Sequence, residues 1–453
     1  MKLKKLTLEN FRGFKHFECE FQEGINVLVG LNGQGKSSVL DAIAIAYGQF
    51  LSALPTGVDK GISTSDVRLA KSLSTHSDFV SIEMESQLPV SVSCEAYTSS
   101  HIKFPQQWQR ARNTLKGNTT QVRELKDSAK NLAVSVQEHQ LVSLPILGYY
   151  GTGRLWSQGR ISVAKADALN KTSRLEGYRD CMDPKSSYTA FAQWLKLETI
   201  ANHERQMSII EQSGLSDALV TGTTLRGKLL EAIKVAVNTV LEPSGWSNVR
   251  YTASAKELIA SHPNQGNVPI SMLSDGVRNM IGMVADIAYR CVRLNRHLEK
   301  NAVTQTEGIV LIDEVDMHLH PEWQQLILQN LEEAFPKIQF IVTTHSPQIL
   351  TTVRKESIRL LNVKEGIAQA SVPLGNTYGE SSGYVLNHLF GVDSKPPLQH
   401  SDTLKKYYVL IESGLGREPQ ANIVRHELEK MMGKHHSDLM AADRMIQRKE
   451  LLG

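Results

Sequence analysis

Apolar and polar residues alternate from Leu3 to Leu8, cross a Phe11-Arg-Gly-Phe14 turn, and give way to the mostly apolar Ile25-Asn-Val-Leu-Val29. That pattern predicts strand, turn and strand. A glycine-rich turn follows. Val39, Leu40, Ile43, Ala46 and Tyr47 then share one face of a helix expected from about Ser38 to Leu54. Residues 79–97 alternate on either side of Pro89, which predicts a β-hairpin. Helical spacing returns near 121–140, 187–213 and 224–241. From Ser274 to about His297, Val277, Met280, Ile281, Val284, Ile287, Ala288 and Cys291 make one helical face, with Ser274 a good N-cap. Gly308–Ile312 is a continuous apolar run of the kind found in buried parallel strands. A helix starting at Pro321 and a second such strand, Ile338–Val342, come next. Strands alternating with helices predict an α/β core, and residues 401–453 read as two or three appended amphipathic helices.

Composition excludes some classes. The 453 residues are 41% hydrophobic and 21% charged, so a folded chain of one large or two to three domains is expected rather than disorder. No apolar run approaches the roughly 20 residues of a spanning helix, and the N-terminus lacks the apolar stretch of a signal peptide. Cys19, Cys94, Cys181 and Cys291 lie far apart, which argues against a disulfide framework or zinc knuckle and for a reducing cytoplasm. The net charge of +3 names no partner, but residues 101–180 hold 13 Lys+Arg against 6 Asp+Glu. Lys103, Arg110, Arg112, Lys116, Arg123, Lys126 and Lys130, with Trp108 interleaved, make DNA contact one expectation; a solvated charged loop is the other.

The chemistry concentrates at three places. Gly30-Leu-Asn-Gly-Gln-Gly-Lys36-Ser37 fits GxxxxGKS/T between a strand and a helix. Glycines let successive N–H groups curl inward and, with the helix N-terminus, hold phosphate oxygens. Lys36 places a charge on the β/γ-phosphates of ATP, and Ser37 is a Mg²⁺ ligand. Asn32, Gly33, Gly35 and Ser38 complete the expected contacts. Asp313-Glu314, at the end of what is expected to be an adjacent buried strand, would hold Mg²⁺ through Asp313 and deprotonate water through Glu314. His345, just past the second buried strand, is placed to reach the γ-phosphate.

Further residues carry a resemblance. Met272-Leu-Ser274-Asp275-Gly276 resembles the LSGGQ signature of ABC ATPases, with Asp in place of the first Gly. Leu8-Glu-Asn-Phe-Arg12-Gly-Phe and Asp313-Glu-Val-Asp-Met-His-Leu-His-Pro321 are similar to the SMC/RecF/OLD branch of that family. Tyr150-Gly-Thr-Gly-Arg154-Leu-Trp156 and Thr377–Phe390 resemble a group of short ATPases without coiled-coil arms, the PtuA ATPases of Septu anti-phage systems. The resemblance implies an ABC/RecF-like P-loop ATPase head with an antiparallel β subdomain, a helical insert and C-terminal helices. Its segments are 1–100 with the P-loop, 101–260 as the insert, 261–390 with signature, Asp313-Glu314 and His345, and 391–453 for assembly or partner binding. It implies that Arg12 contacts nucleotide and that Ser274, Asp275 and Gly276 of one copy close over ATP held by another, which requires a homo-oligomer. It also implies a partner HNH nuclease of the PtuB kind. A RecF-like DNA-repair clamp without a nuclease is the alternative, and a transporter subunit is disfavoured by the Arg12 motif. Asp316, His318 and His320 are expected to shape the loop after Glu314 rather than bind metal. Residues 391–453 contain no Asp-x-Asp and are too short for a Toprim nuclease, and no HNH core is evident, so no nuclease centre is expected in the chain. Leu404, Tyr408, Leu410, Leu415, Leu428, Met431, Leu439 and Met445 would expose apolar faces for assembly, or pack back on the core.

Overall fold

The computed structural model describes residues 1–76, 79–98, 104–117, 119–153, 173–184, 188–213, 224–252, 254, 256–364, 367–393 and 400–452. Lys103, Arg154 and Trp156 lie outside them. The chain divides into a unit spanning Met1–Gly391 and a smaller one spanning Val392–Gly453.

In chain order, β1 (Leu3–Phe11) and β2 (Phe14–Glu20) form a hairpin, and β3 (Ile25–Val29) leads into the helix Lys36–Ser52. β4 (Leu69–His76) pairs with β5 (Phe79–Ser86), and β6 (Val90–Ala96) with β7 (Gln107–Arg112). The helix Arg123–Gln137 precedes β8 (Ile146–Tyr150), and the helices Thr189–Ser213 and Leu225–Leu241 follow it. β9 (Ser247–Thr252), β10 (Glu257–His262) and β11 (Gly266–Pro269) make a three-stranded antiparallel sheet. The helix Asp275–Leu294 then leads to β12 (Gly308–Ile312), β13 (Ile338–Thr343) and the hairpin of β14 (Ile358–Lys364) and β15 (Ile367–Ser371).

Ten of these strands form one sheet, in the order β7-β6-β1-β2-β15-β14-β3-β13-β12-β8. Neighbours from β14 to β8 run parallel, and β2, β1, β6 and β7 pair antiparallel. β3, β12 and β13 are buried at every position, as expected of parallel strands covered on both faces.

Four expectations change. Residues 79–97 are not a hairpin: β5 pairs with β4 in a separate two-stranded sheet, while β6 joins β1 and β7. Alternation marks each strand but carries no information about its partner. The helix Lys36–Ser52 is buried all round rather than on one face, leaving only Asp41 less than buried between Val39 and Leu51. Helix Arg123–Gln137 and the aromatic edge of β7 cover its second side. Consequently Trp108 and Arg110 point into the core: Trp108 Nε1 donates to the Ala46 carbonyl at 3.0 Å, and the fully buried Arg110 donates to the Ile45 and Lys60 carbonyls and to Asp59. Neither belongs to a basic surface, whereas Lys116, Arg123 and Lys130 are exposed.

The fourth change concerns the small unit. Its helices Ser401–Glu412, Pro419–Met432 and Ser437–Leu452 bury Tyr407, Ile411, Ala421, Leu428, Leu439, Ala442 and Ile446 against one another, with Leu404, Tyr408, Leu410 and Met445 packed around them. Most of the apolar positions expected either to expose faces for assembly or to pack back on the core therefore form a core of their own; Leu415 and Met431 remain exposed.

Candidate active site

The loop after β3 is built for close backbone approach. Gly33 and Gly35 have φ of 81° and 86°, a left-handed region that disfavours side chains. At Gly35 a Cβ would also lie 2.4 Å from the Phe14 ring. Gln34 closes the turn by accepting the Leu31 N–H at 2.8 Å. Gly35 takes the N-cap position of helix Lys36–Ser52 without a side-chain cap, so the first-turn N–H groups point toward the loop, an arrangement suited to an anion. Lys36 Nζ donates to the Gly30 and Leu31 carbonyls at 2.9 and 3.1 Å. Burial pulls its pKa down, against the upward pull of Asp313, Glu314 and Asp316. Ser37 is exposed and Ser38 half-buried.

The carboxylates come from β12, which is not adjacent to β3 as expected: β13 lies between them. The three parallel strands end side by side and aim Gly30, Asp313-Glu314 and His345 at one edge, the usual ligand edge of such sheets. Asp313 is buried and its Oδ1 accepts the Thr343 hydroxyl at 2.6 Å. The Glu314 N–H donates to the same hydroxyl oxygen at 2.7 Å, and Glu314 itself sits at φ 47°. Left-handed backbone at a non-glycine residue costs about 1–2 kcal/mol and persists only where neighbours hold it. Asp316 Oδ1 accepts the Thr344 hydroxyl at 2.6 Å. Burial and the charge of Lys36 lower the pKa of His345, which also feels Asp316, Glu314 and Asp313. His320 Nδ1 accepts the Glu322 N–H at 3.4 Å and so caps the short helix Pro321–Gln324. Among the described residues no group of three or more His, Cys, Asp or Glu is placed to hold a metal.

Arg12, at φ 50° in the β1–β2 turn, is clamped from two sides: Nη1 meets Asp41 at 2.7 Å and Nη2 meets Asp66 at 2.8 Å. Its Nη1 also lies 3.5 Å from the Ser38 hydroxyl, beside the phosphate loop. Lys60 shares Asp41 at 2.8 Å. Asp41, Asp66 and Lys60 escaped sequence reasoning because nothing in their local spacing signals a partner up to 54 residues away.

Ser274 is the N-cap residue of helix Asp275–Leu294, but its hydroxyl makes no capping bond, contrary to the sequence expectation. Arg278 instead ties the first turn together, bonding Asp275 and the Ser271 carbonyl. A Cβ at Gly276 would lie 2.1 Å from the His318 carbonyl oxygen, so the helix start abuts the loop that follows Glu314. Among the described residues no hydrogen bond or ion pair joins Ser274, Asp275 or Gly276 to the phosphate loop.

An AAA-domain family model matches residues 5–213, and a second AAA-domain model, described for AbiEii-type toxins of type IV TA systems, matches 216–351. The chain is 27% identical to the Retron Vc95 probable ATPase of Vibrio cholerae, covering 91% of this chain and 84% of that one. It is 36% identical to a Septu protein PtuA of Bacillus mycoides, over 35% of this chain and 22% of that one. Among solved structures, an Smc head domain derived from Pyrococcus furiosus aligns with a TM-score of 0.46 at 15% identity, covering 82% of this chain and 96% of that one. With its phosphate loop, its carboxylate strand and AAA-domain matches on both sides of residue 215, the chain carries AAA-type ATPase domains.

Proposed function

We propose that this chain is the ATP-hydrolysing subunit of an anti-phage defence complex, in which two copies sandwich nucleotide and the assembly, engaged with DNA, controls a separate HNH nuclease. The carrying observation is the convergence of Lys36, Asp313, Glu314 and His345 within one another's field from three parallel strands.

Lys36 exchanges the Gly30 and Leu31 carbonyls for β- and γ-phosphate oxygens, which offer a full charge in place of a dipole. The N–H groups of Asn32 to Gly35 and the uncapped helix start hold the remaining oxygens. Ser37 and Asp313 offer hard oxygen donors of the kind Mg²⁺ takes and would hold the ion. When bound, Mg²⁺ would offset phosphate charge. Glu314 takes the proton of the water that attacks the γ-phosphorus in line as ADP departs. A neutral His345 donates a hydrogen bond to the γ-phosphate, and Arg12 approaches the nucleotide from beside Ser38. The uncapped Ser274 hydroxyl, with Asp275 and Gly276 at a positive helix end, closes over nucleotide held by the second copy.

The defence assignment is supported by likeness to a retron ATPase over nine-tenths of the chain and to Septu PtuA proteins. Exposed Lys116, Arg123 and Lys130 support DNA contact. Glu314→Gln is expected to abolish turnover while ATP stays bound, and Lys36→Ala to lose binding; unchanged turnover in Glu314→Gln would refute the assigned base. Co-purification with an HNH protein encoded beside this chain tests the nuclease partner. Without such a neighbour, ATP-dependent DNA binding alone favours the RecF-like clamp.

A further inference from the structure

We propose that Thr343 is a positioning residue for hydrolysis, aligning Asp313 and Glu314 through one hydroxyl group; this rests on the ATPase-site reading above. Thr343 ends β13 and is fully buried. Its Oγ1 accepts the Glu314 N–H at 2.7 Å and lies 2.6 Å from Asp313 Oδ1. A backbone N–H can only donate, so the single hydroxyl proton goes to Asp313. The direction of the chain is thereby forced, from Glu314 N–H to Oγ1 and from Oγ1–H to the carboxylate.

The Thr343 carbonyl takes a third bond, from the Val315 N–H at 3.0 Å. Asp313, Glu314 and Val315 therefore all hang on one residue of the neighbouring strand, just beyond the in-register pair Ile312–Val342. Two consequences follow. The Asp313 carboxylate, assigned above to Mg²⁺, has its orientation set from the side by a fully buried donor on the neighbouring strand. The left-handed backbone of Glu314 is held by bonds to its own N–H and to the N–H of the next residue, which fixes where its side chain departs. Thr344 repeats the pattern one position on, donating to Asp316 and accepting the Ser346 N–H at 2.9 Å. A role in packing alone would belong to the Thr343 methyl group, which serine lacks; the aligning role belongs to the hydroxyl, which serine keeps.

The test compares Thr343→Val with Thr343→Ser in the full chain. One readout is steady-state ATP turnover. The other is the Mg²⁺ concentration that half-saturates binding of a fluorescent non-hydrolysable ATP analogue. Loss of a partner that orients a metal-holding carboxylate typically costs about 10–100-fold in metal affinity or activity. Thr343→Val is expected to lower kcat and raise the Mg²⁺ half-point within that range, with little change in KM at saturating Mg²⁺. Thr343→Ser is expected to recover most of both. A valine variant matching wild type in either readout overturns the proposal, as does a serine variant as impaired as valine. Should Thr343→Val not fold, Thr343→Cys, a weak donor of similar size, takes its place with the same outcomes. Glu314→Gln run alongside separates the two levels: normal turnover there removes the site assignment itself, whereas an inactive Glu314→Gln beside a fully active Thr343→Val removes the role of Thr343 alone.

Discussion

Replacing Gly276 with alanine measures how tightly the helix Asp275–Leu294 is locked to the loop behind Glu314. The added Cβ would sit 2.1 Å from the His318 carbonyl oxygen and 3.1 Å from its carbon. An ordinary C···O contact is about 3.3 Å or more, so roughly 1 Å must open. The helix cannot supply it by sliding, because nearly every residue from Gly276 to Leu294 is buried and interiors yield little. The loop must therefore give. It is held by the Thr344–Asp316 bond, by turns from Met317 to Glu314 and from Leu319 to Asp316, and by a left-handed His318 at φ 62°. Overpacking of this kind costs about 1–3 kcal/mol. For a unit spanning Met1–Gly391 the unfolding entropy is about 0.8 kcal/mol/K, so the melting midpoint should fall by about 1–4 °C. The sign is diagnostic. Alanine at an unobstructed helical glycine would stabilise by about 0.5–1 kcal/mol and raise the midpoint. A displacement of about 1 Å near Glu314 can cost on the order of 10²-fold in turnover. Thermal melting and steady-state ATPase assays of Gly276→Ala check both. A midpoint unchanged or raised, with full turnover, would refute the steric coupling.

Arg110→Met is expected to destabilise the larger unit by about 1–3 kcal/mol, chiefly by leaving the Lys60 carbonyl without its donor; Asp59 keeps Gln49 and partial exposure. Its DNA affinity should match wild type, whereas Lys116→Gln with Lys130→Gln should weaken DNA binding and its salt dependence without touching the melting midpoint. Loss of DNA affinity in a thermally unchanged Arg110→Met would put that guanidinium on the surface. Burial and Lys36 hold His345 below the ordinary histidine range. As pH falls below about 6.5, the unfolded chain takes the proton first. The stability contributed by neutral His345 is thus present above that pH and lost as pH falls through the folded value. His345→Gln should flatten this acid limb of the melting curve, and an identical limb would count against the burial.

Local chemistry was legible in the sequence. The phosphate loop declares itself because glycine, lysine and serine must sit at fixed offsets for backbone N–H groups to converge, and the structure gives Gly33 and Gly35 the required positive φ. The apolar runs Gly308–Ile312 and Ile338–Val342 announced buried parallel strands because both faces of each are covered. Periodicity likewise located the long helix that begins at Asp275. Tertiary packing alone decided the rest. That β13 separates β3 from β12, and that β5 and β6 part company at Pro89, depends on pairing energies between distant segments which alternation does not encode. Arg110 looked like a surface cation because charge usually seeks water; a carboxylate and two carbonyls from other segments make its burial tolerable. Thr343 was visible only as part of a polar run after a strand. Its hold on Asp313 and Glu314 exists because two strands, contiguous in space and 30 residues apart in sequence, end in register.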